Sequence, residues 1–366
     1  MAVALSLDGL QRLFDLLSAD GRRLIGPRLV GSAITYRPFT TVQDLPQGWT
    51  DRQGPGDYRL ARRDDAALFG YVVGPDTWKP YVYPRRETLW RARRSDGRVE
   101  LIEEDPSTAR LALVGVRACE IAALSVLDRV FNADNPDPRY ALRRQSCLVI
   151  AVNCSDPAAT CFCDSMGTGP EVTGGFDVLL TEVIDEGSHY FVAESGSAAG
   201  EELVERLAAT PASPDQLEAK RVVSEICRAR LTKRMVTADL PGLLVDNPEH
   251  KHWERVAERC LACGNCTLVC PTCFCSTTAD TTDLATGEFG RERRWDTCFS
   301  LDFSYVVGHT VRGSVRSRYR QWLTHKLGTW HQQFGTSGCV GCGRCVTWCP
   351  VGIDLTEEVE TIRGGP

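Results

Sequence analysis

Apolar and polar positions along this chain change their period several times, and each change predicts an element. Residues 110–116 (RLALVGV) form a nearly continuous apolar run, the pattern of a strand buried on both faces. Ala118–Phe131 follows at helical spacing, with Ile121, Leu124, Leu127 and Phe131 on one side. Cys147–Val152 (CLVIAV) is a second buried-strand pattern. Residues 176–183 and 188–193 flank a short polar segment, 185–187, and predict a hairpin. Two helices should come next, the second opened by Ser213 as N-cap with Pro214 behind it and running to about Leu231. The first twenty residues fit an amphipathic helix better than an export signal, because they lack a basic start and a continuous apolar stretch. Residues 1–240 therefore predict a mixed α/β domain.

The pattern then breaks. Residues 237–248 hold two prolines and a glycine and suggest a linker. From His250 a short helix (HKHWERVAER) leads into a cysteine-rich region, 246–366, read as a second domain. Residues 301–330 suggest further helix, with Val311, Val315, Tyr319 and Trp322 as its apolar face. Arg312, Arg316 and Arg320 share the other face, and residues 291–330 hold eight Lys and Arg against three Asp and Glu. That surplus suits either a solvated face or a docking face for an acidic partner. Asp354 with Glu357 three residues later opens a terminal helix.

Composition narrows the function. The chain has 366 residues, 43% hydrophobic and 25% charged, with a net charge of −6. The acidic balance argues against a general nucleic-acid binder. No run of eighteen apolar residues occurs, so no helical membrane span is expected. There are 17 cysteines, an odd and clustered set, and nothing reads as an export signal. In a reducing cytoplasm such thiols are metal ligands rather than a disulfide framework.

Eight of them form two runs. Cys260, Cys263, Cys266 and Cys270 are followed by Pro271, and Cys339, Cys342, Cys345 and Cys349 by Pro350. Both runs have the bacterial ferredoxin spacing for [4Fe–4S] clusters, in which the fourth cysteine serves the other cluster. Cluster one would then take Cys260, Cys263, Cys266 and Cys349, and cluster two Cys339, Cys342, Cys345 and Cys270. Gly264 and Gly343 sit where backbone must pass close to the cluster. Two separated C-x2-C pairs, the zinc pattern, fit these runs poorly. The long insertion between them favours an α-helical ferredoxin-type domain over the small β-rich kind.

Nine cysteines remain. Cys119 opens a helix, and Cys154, Cys161 and Cys163 lie close together in sequence, so these four offer a third [4Fe–4S] site; buried inert thiols are the alternative. Cys273, Cys275 and Cys298 either shield cluster two or join a further metal site. Cys147 and Cys227 fall in apolar patterns and read as core. No glycine-rich dinucleotide fingerprint, P-loop or H-E-x-x-H is present, and His250 and His252 read as surface residues.

Four segments carry a resemblance: HWERVAERCLACGNCTLVCPTCFC, SRYRQWLTHKLGTWHQQFGTSGCVGCGRCVTWCPVGIDLTEE, GVRACEIAALSVLDRVF and NCSDPAATCFCDSMGTGP. Over about residues 70–366 the chain resembles the 4Fe–4S dicluster beta subunits of soluble NAD(P)-linked [NiFe] hydrogenases, the sulfhydrogenases, and their relative among the subunits of anaerobic sulfite reductase. Residues 115–119 match the family's glycine-arginine-x-cysteine stretch, with Ala118 and Glu120 in place of proline and aspartate. The resemblance implies a cytoplasmic, non-catalytic electron-transfer subunit of a hetero-oligomer. It would link a flavin NAD(P)H-reductase subunit to the small subunit of a hydrogenase and, through it, to the large subunit. The alternative it implies is an electron-input subunit of a sulfite or polysulfide reductase. The paired C-x2-C motifs that hold nickel and iron are absent, so hydrogen would be activated elsewhere.

Overall fold

A computed structural model describes residues 2–95, 97–102, 109–185 and 187–365. Its largest layer is a seven-stranded sheet. In spatial order the strands are Ala2–Leu5, Ser188–Ser195, Val178–Asp185, Cys147–Val152, Leu111–Val116, Arg23–Val30 and Ala33–Pro38. The four strands from Val178–Asp185 to Arg23–Val30 run parallel, and the flanking pairs are antiparallel. Parallel strands covered on both faces explain why residues 111–116 are apolar throughout: all six are buried. Helices Leu7–Ala19 and Ala198–Arg206 cover one face through Leu10, Phe14, Leu17 and Leu203.

A second sheet has four strands, in the order Ser276–Thr282, Glu288–Trp295, Arg86–Ser95 and Arg98–Ile102. It pairs residues 288–294 with residues 86–93, so backbone hydrogen bonds join the cysteine-rich region to the α/β region. The C-terminal core gathers Trp253, Val256, Tyr319, Trp322, Leu323, Leu327 and Val359 around the cysteine runs. Among the described residues, no helix is long and apolar enough to cross a membrane.

Several expectations hold closely. The helix Ala118–Phe131 and the strand Cys147–Val152 have the bounds read from the sequence. The hairpin forms, with Asp185 opposite Ser188; Glu186 in its turn lies outside the described residues. Helix Pro214–Arg230 starts at Ser213, whose Oγ accepts from Gln216 N at 3.3 Å while the Gln216 side chain accepts from Ser213 N at 3.0 Å. The terminal helix, Leu355–Arg363, is capped by Asp354.

Others need correction. The N-terminal helix starts only at Leu7, because Ser6 caps it and residues 2–5 pair with residues 191–194 as an edge strand. The segment read as a linker contains the helix Leu240–Asp246, which buries Leu240 and Leu244 in the C-terminal core. Residues 301–314 are not α-helical: after a single 3-10 turn, Asp302–Ser304, come the short strands Tyr305–Val306 and His309–Thr310, Ser314 caps a helix that begins at Val315, and Val311 is 58% exposed. Together with the strands Ser276–Thr282 and Glu288–Trp295, this makes the C-terminal region mixed rather than wholly helical. Arg316 and Arg320 pair with Glu249 inside the chain instead of standing free. His252 is not a surface residue; it is buried against Glu358.

Candidate iron–sulfur centres

The first cysteine run begins where the helix His252–Arg259 stops, with Cys260 at its C-cap. The chain then turns through Ala262 (φ 51°) and Gly264 (φ 72°), and Gly264 caps the short helix Asn265–Leu268. The second run repeats the device: Gly341 (φ 63°) and Gly343 (φ 74°) precede the short helix Arg344–Thr347. Both glycines of the second run are required by close packing as well as by φ. A Cβ on Gly343 would sit 2.4 Å from the Thr160 carbonyl oxygen, and one on Gly341 would sit 2.6 Å from that of Phe162. At Gly264 the obstruction is the Thr297 methyl group, 2.8 Å away.

These loops enclose two cavities. Cys260, Cys263, Cys266 and Cys349 line the first, of about 460 Å³ including its mouth, with Phe299, Tyr319, Trp322 and Ile353 behind them. Cys339, Cys342, Cys345 and Cys270 line the second, of about 290 Å³, with Phe162, Thr272 and Lys326. Each cavity thus meets three thiols from one run and the last thiol of the other, and the first also touches Cys345. Cys345 borders both, so the cavities lie side by side. All seventeen cysteines are free thiols. Among the described residues, no three His, Cys, Asp or Glu side chains converge tightly enough to hold a single metal ion. Three thiols of one ferredoxin-spaced run with the last thiol of the other make a donor set that suits a sulfur-ligated iron group.

Cys260, Cys266, Cys339, Cys342 and Cys345 sit in surroundings that resist ionisation. Burial pushes the Cys339 thiol up to about 12, and burial next to Cys260 and Cys349 pushes Cys266 well above its ordinary value. Cys270 goes the other way. Burial opposes its charge, but a hydrogen bond from Cys273 and the Lys326 and Lys79 ammonium groups together pull it well below the usual thiol range. Iron would supply the positive charge that the other thiolates lack, and binding would release their protons. Backbone amides already point at three sulfurs: Ala262 N donates to Cys260 Sγ at 3.4 Å, Thr272 N to Cys270 Sγ at 3.4 Å, and Gly341 N to Cys339 Sγ at 3.5 Å.

The α/β region adds a third group of thiols. Leu111–Val116 and Cys147–Val152 are adjacent parallel strands, so their carboxyl ends open at the same place, where α/β folds put ligands. Cys119 sits in the first helical turn after one strand, and Cys154 two residues after the other. Cys161 and Cys163 reach the same spot from the following loop, and Cys161, Cys163 and Cys119 pack together. That loop meets the second cysteine run directly: Phe162 N donates to Gly341 O at 2.8 Å, and Thr168 Oγ1 to Val340 O at 2.7 Å. Cys227, assigned to the core from its pattern, is fully buried and also faces Cys154 and Cys163. Of the other thiols, Cys273 hydrogen-bonds Cys270, and Cys275 hydrogen-bonds Cys298.

Sequence patterns did not announce the charged residues around the thiols. Arg117, 4% exposed, donates to Asn153 O, Phe69 O and Tyr71 O and holds the two strand ends together. Arg344 donates to Glu120 at 2.7 Å, both nearly fully buried. Lys326 stands in the wall of the second cavity. The available signal was a charged residue embedded in apolar text, as in WLTHKLGTW.

Comparison with known proteins agrees with this geometry. The 4Fe-4S dicluster domain family matches residues 259–353. Sulfhydrogenase 2 subunit beta of Pyrococcus furiosus is 30% identical over 292 residues, 78% of this chain and 83% of that protein. No solved structure matches the chain. An electron-transferring iron–sulfur subunit of a hydrogenase-type complex is what these findings describe: the chain belongs to the family of sulfhydrogenase beta subunits.

Proposed function

We propose that this chain uses two [4Fe–4S] clusters to relay electrons between the small subunit of a [NiFe] hydrogenase and a flavin NAD(P)H-reductase subunit. The observation that carries this reading is the pair of adjoining thiol-lined cavities, each with three cysteines of one run and the last of the other, that meet at Cys345. Cys260, Cys263, Cys266 and Cys349 would hold one cluster, and Cys339, Cys342, Cys345 and Cys270 the other. Bound there, each would accept and release one electron at a time.

The chain's own residues do the rest. Gly264, Gly341 and Gly343 let the backbone wrap close to the cavities. Phe299, Tyr319, Trp322 and Ile353 keep water from the first. Cys263 is exposed and marks the face at which an electron would enter or leave. Cys119, Cys154, Cys161 and Cys163 would hold a third cluster beside Cys342, extending the path into the α/β region. Cys273, Cys275 and Cys298 shield the second cavity. No general acid, base or nucleophile is needed, because an electron crosses without making or breaking bonds to the protein.

Iron and acid-labile sulfide per chain after anaerobic purification test the reading. Eight of each are expected for two clusters, and twelve if the α/β thiols bind a third; fewer than eight overturns it. In the assembled complex, Cys342→Ser should remove one electron paramagnetic resonance signal and stop NAD(P)-coupled hydrogen turnover. Dye-linked hydrogenase activity should survive. Unchanged NAD(P)-coupled turnover would rule out a relay through this cavity.

A further inference from the structure

The two cavities are electrically unlike. Among the described residues no charged side chain lines the first; the buried Arg318 guanidinium lies behind Cys260 but donates to the Arg312 and Gly313 carbonyls and not to a sulfur. The second has Lys326 in its wall. Lys326 lies in the π-helical turn His325–Thr329, between the helices Val315–Thr324 and Trp330–Phe334. Such turns are rare and concentrate at functional sites. This one points Lys326 inward, where it is 2% exposed.

An ammonium group has three protons to donate. Lys326 Nζ donates to Cys270 Sγ at 3.2 Å, to Thr272 Oγ1 at 3.0 Å and to Gly338 O at 3.0 Å. The hydroxyl and the carbonyl are neutral. A buried cation without a counter-charge is strongly unfavourable. Here the group facing the cation that can carry negative charge is the Cys270 sulfur, with the Cys273 and Cys339 sulfurs close behind it. Arg344 in the same run is different, because Glu120 neutralises it at 2.7 Å. Lys79 adds a second cation on this side: it is also 2% exposed, donates to Cys273 O at 2.8 Å and lies 3.8 Å from the Trp295 ring centre.

A cluster becomes more negative when reduced, so a fixed cation hydrogen-bonded to one of its ligating sulfurs favours the reduced form. We infer that Lys326 is a positioning residue that raises the reduction potential of the second cluster above that of the first. An electron arriving at the exposed Cys263 face then moves inward. The inference rests on the two-cluster reading of the cavities.

The test is a redox titration of the full, anaerobically purified chain, followed by electron paramagnetic resonance. In Lys326→Met, iron and sulfide should match the parent and one signal should become harder to reduce. Its reduced-to-oxidised ratio at a fixed potential should fall at least tenfold, equivalent to 59 mV for one electron. The other signals should stay in place, and Lys326→Arg should remain near the parent. If the Met variant loses iron, Lys326→Gln keeps a donor to the sulfur without the charge and takes its place in the titration. Unmoved midpoints, equal shifts of all signals, or loss of iron from both neutral variants would overturn the inference. A parent chain without iron would instead overturn the cluster reading beneath it.

Discussion

Glu120 gathers three side-chain donors on one buried carboxylate, the Tyr36 hydroxyl at 2.6 Å, Trp78 Nε1 at 3.0 Å and Arg344 at 2.7 Å, besides the Arg117 backbone N–H at 3.5 Å. Tyr36 and Trp78 also stack, with ring centres 3.7 Å apart. Arg344 stands between Cys342 and Cys345, so a carboxylate of the α/β region is the counter-ion for an arginine inside the second cysteine run. A buried ion pair adds little net stability, but removing one partner strands the other charge. Glu120→Ala should therefore cost about 3–5 kcal/mol, read by anaerobic denaturant unfolding. Arg344→Met added to that variant should recover part of the loss, because the stranded cation is gone. A cost below about 1 kcal/mol for Glu120→Ala would mean that water reaches Arg344 and that the pair is no bolt between the two regions.

The cysteine loops depend on backbone that only glycine adopts without strain. Gly343 and Gly187 have nearly the same φ, 74° and 80°, but a Cβ on Gly187 meets nothing within 4 Å, whereas one on Gly343 strikes Thr160. Gly187→Ala should cost about 1–2 kcal/mol, the left-handed penalty alone. Gly343→Ala should cost more and open the second cavity, so iron per chain should drop by about four atoms, the content of one [4Fe–4S] cluster, while Gly187→Ala keeps the parent content. Equal iron in the two variants would separate the loop from the cavity. These glycines were legible from sequence because the spacing of the cysteines leaves no other place for the turn. The helix Ala118–Phe131 and the strand Cys147–Val152 were legible too, since burial on one or both faces writes a clear period into the text. The hairpin of residues 276–295 was not. Arg291 faces Asp280 across it, and Arg91 of the neighbouring strand pairs with Glu288, on strands with few apolar residues, so no alternation announces it. The helix Leu240–Asp246 was hidden by Pro241 and Gly242, which read as a break although proline is acceptable in a first helical turn. Nor does periodicity reveal a lysine that a π turn directs inward.

The cysteine-rich region and the α/β region are built into one another. Strand Glu288–Trp295 pairs with Arg86–Ser95, Gly56 N donates to Val346 O at 3.1 Å, and Thr160 and Thr347 share a hydrogen bond at 2.9 Å across the second loop. The last two contacts lie beside the second cysteine run, so its thiols are held in place partly by residues far away in sequence, 187 positions in the case of Thr160 and Thr347. Filling the cavities would tie four thiols from distant segments through one iron group, and binding free energy at such a site becomes folding free energy. Stripping iron anaerobically with a chelator should then lower the stability of the whole chain and not only that of its last third. In calorimetry the parent should melt in one main transition. The stripped chain should melt in one as well, lower by roughly 5 °C or more, the scale of a few kcal/mol in a large domain. Two separated transitions after stripping, with the upper one unmoved, would show that residues 1–240 fold without regard to the clusters. The interlocked strands and loops predict the single, shifted transition, because loosening the second cavity also loosens the Thr160, Phe162 and Glu120 contacts that hold the carboxyl ends of the parallel strands in place.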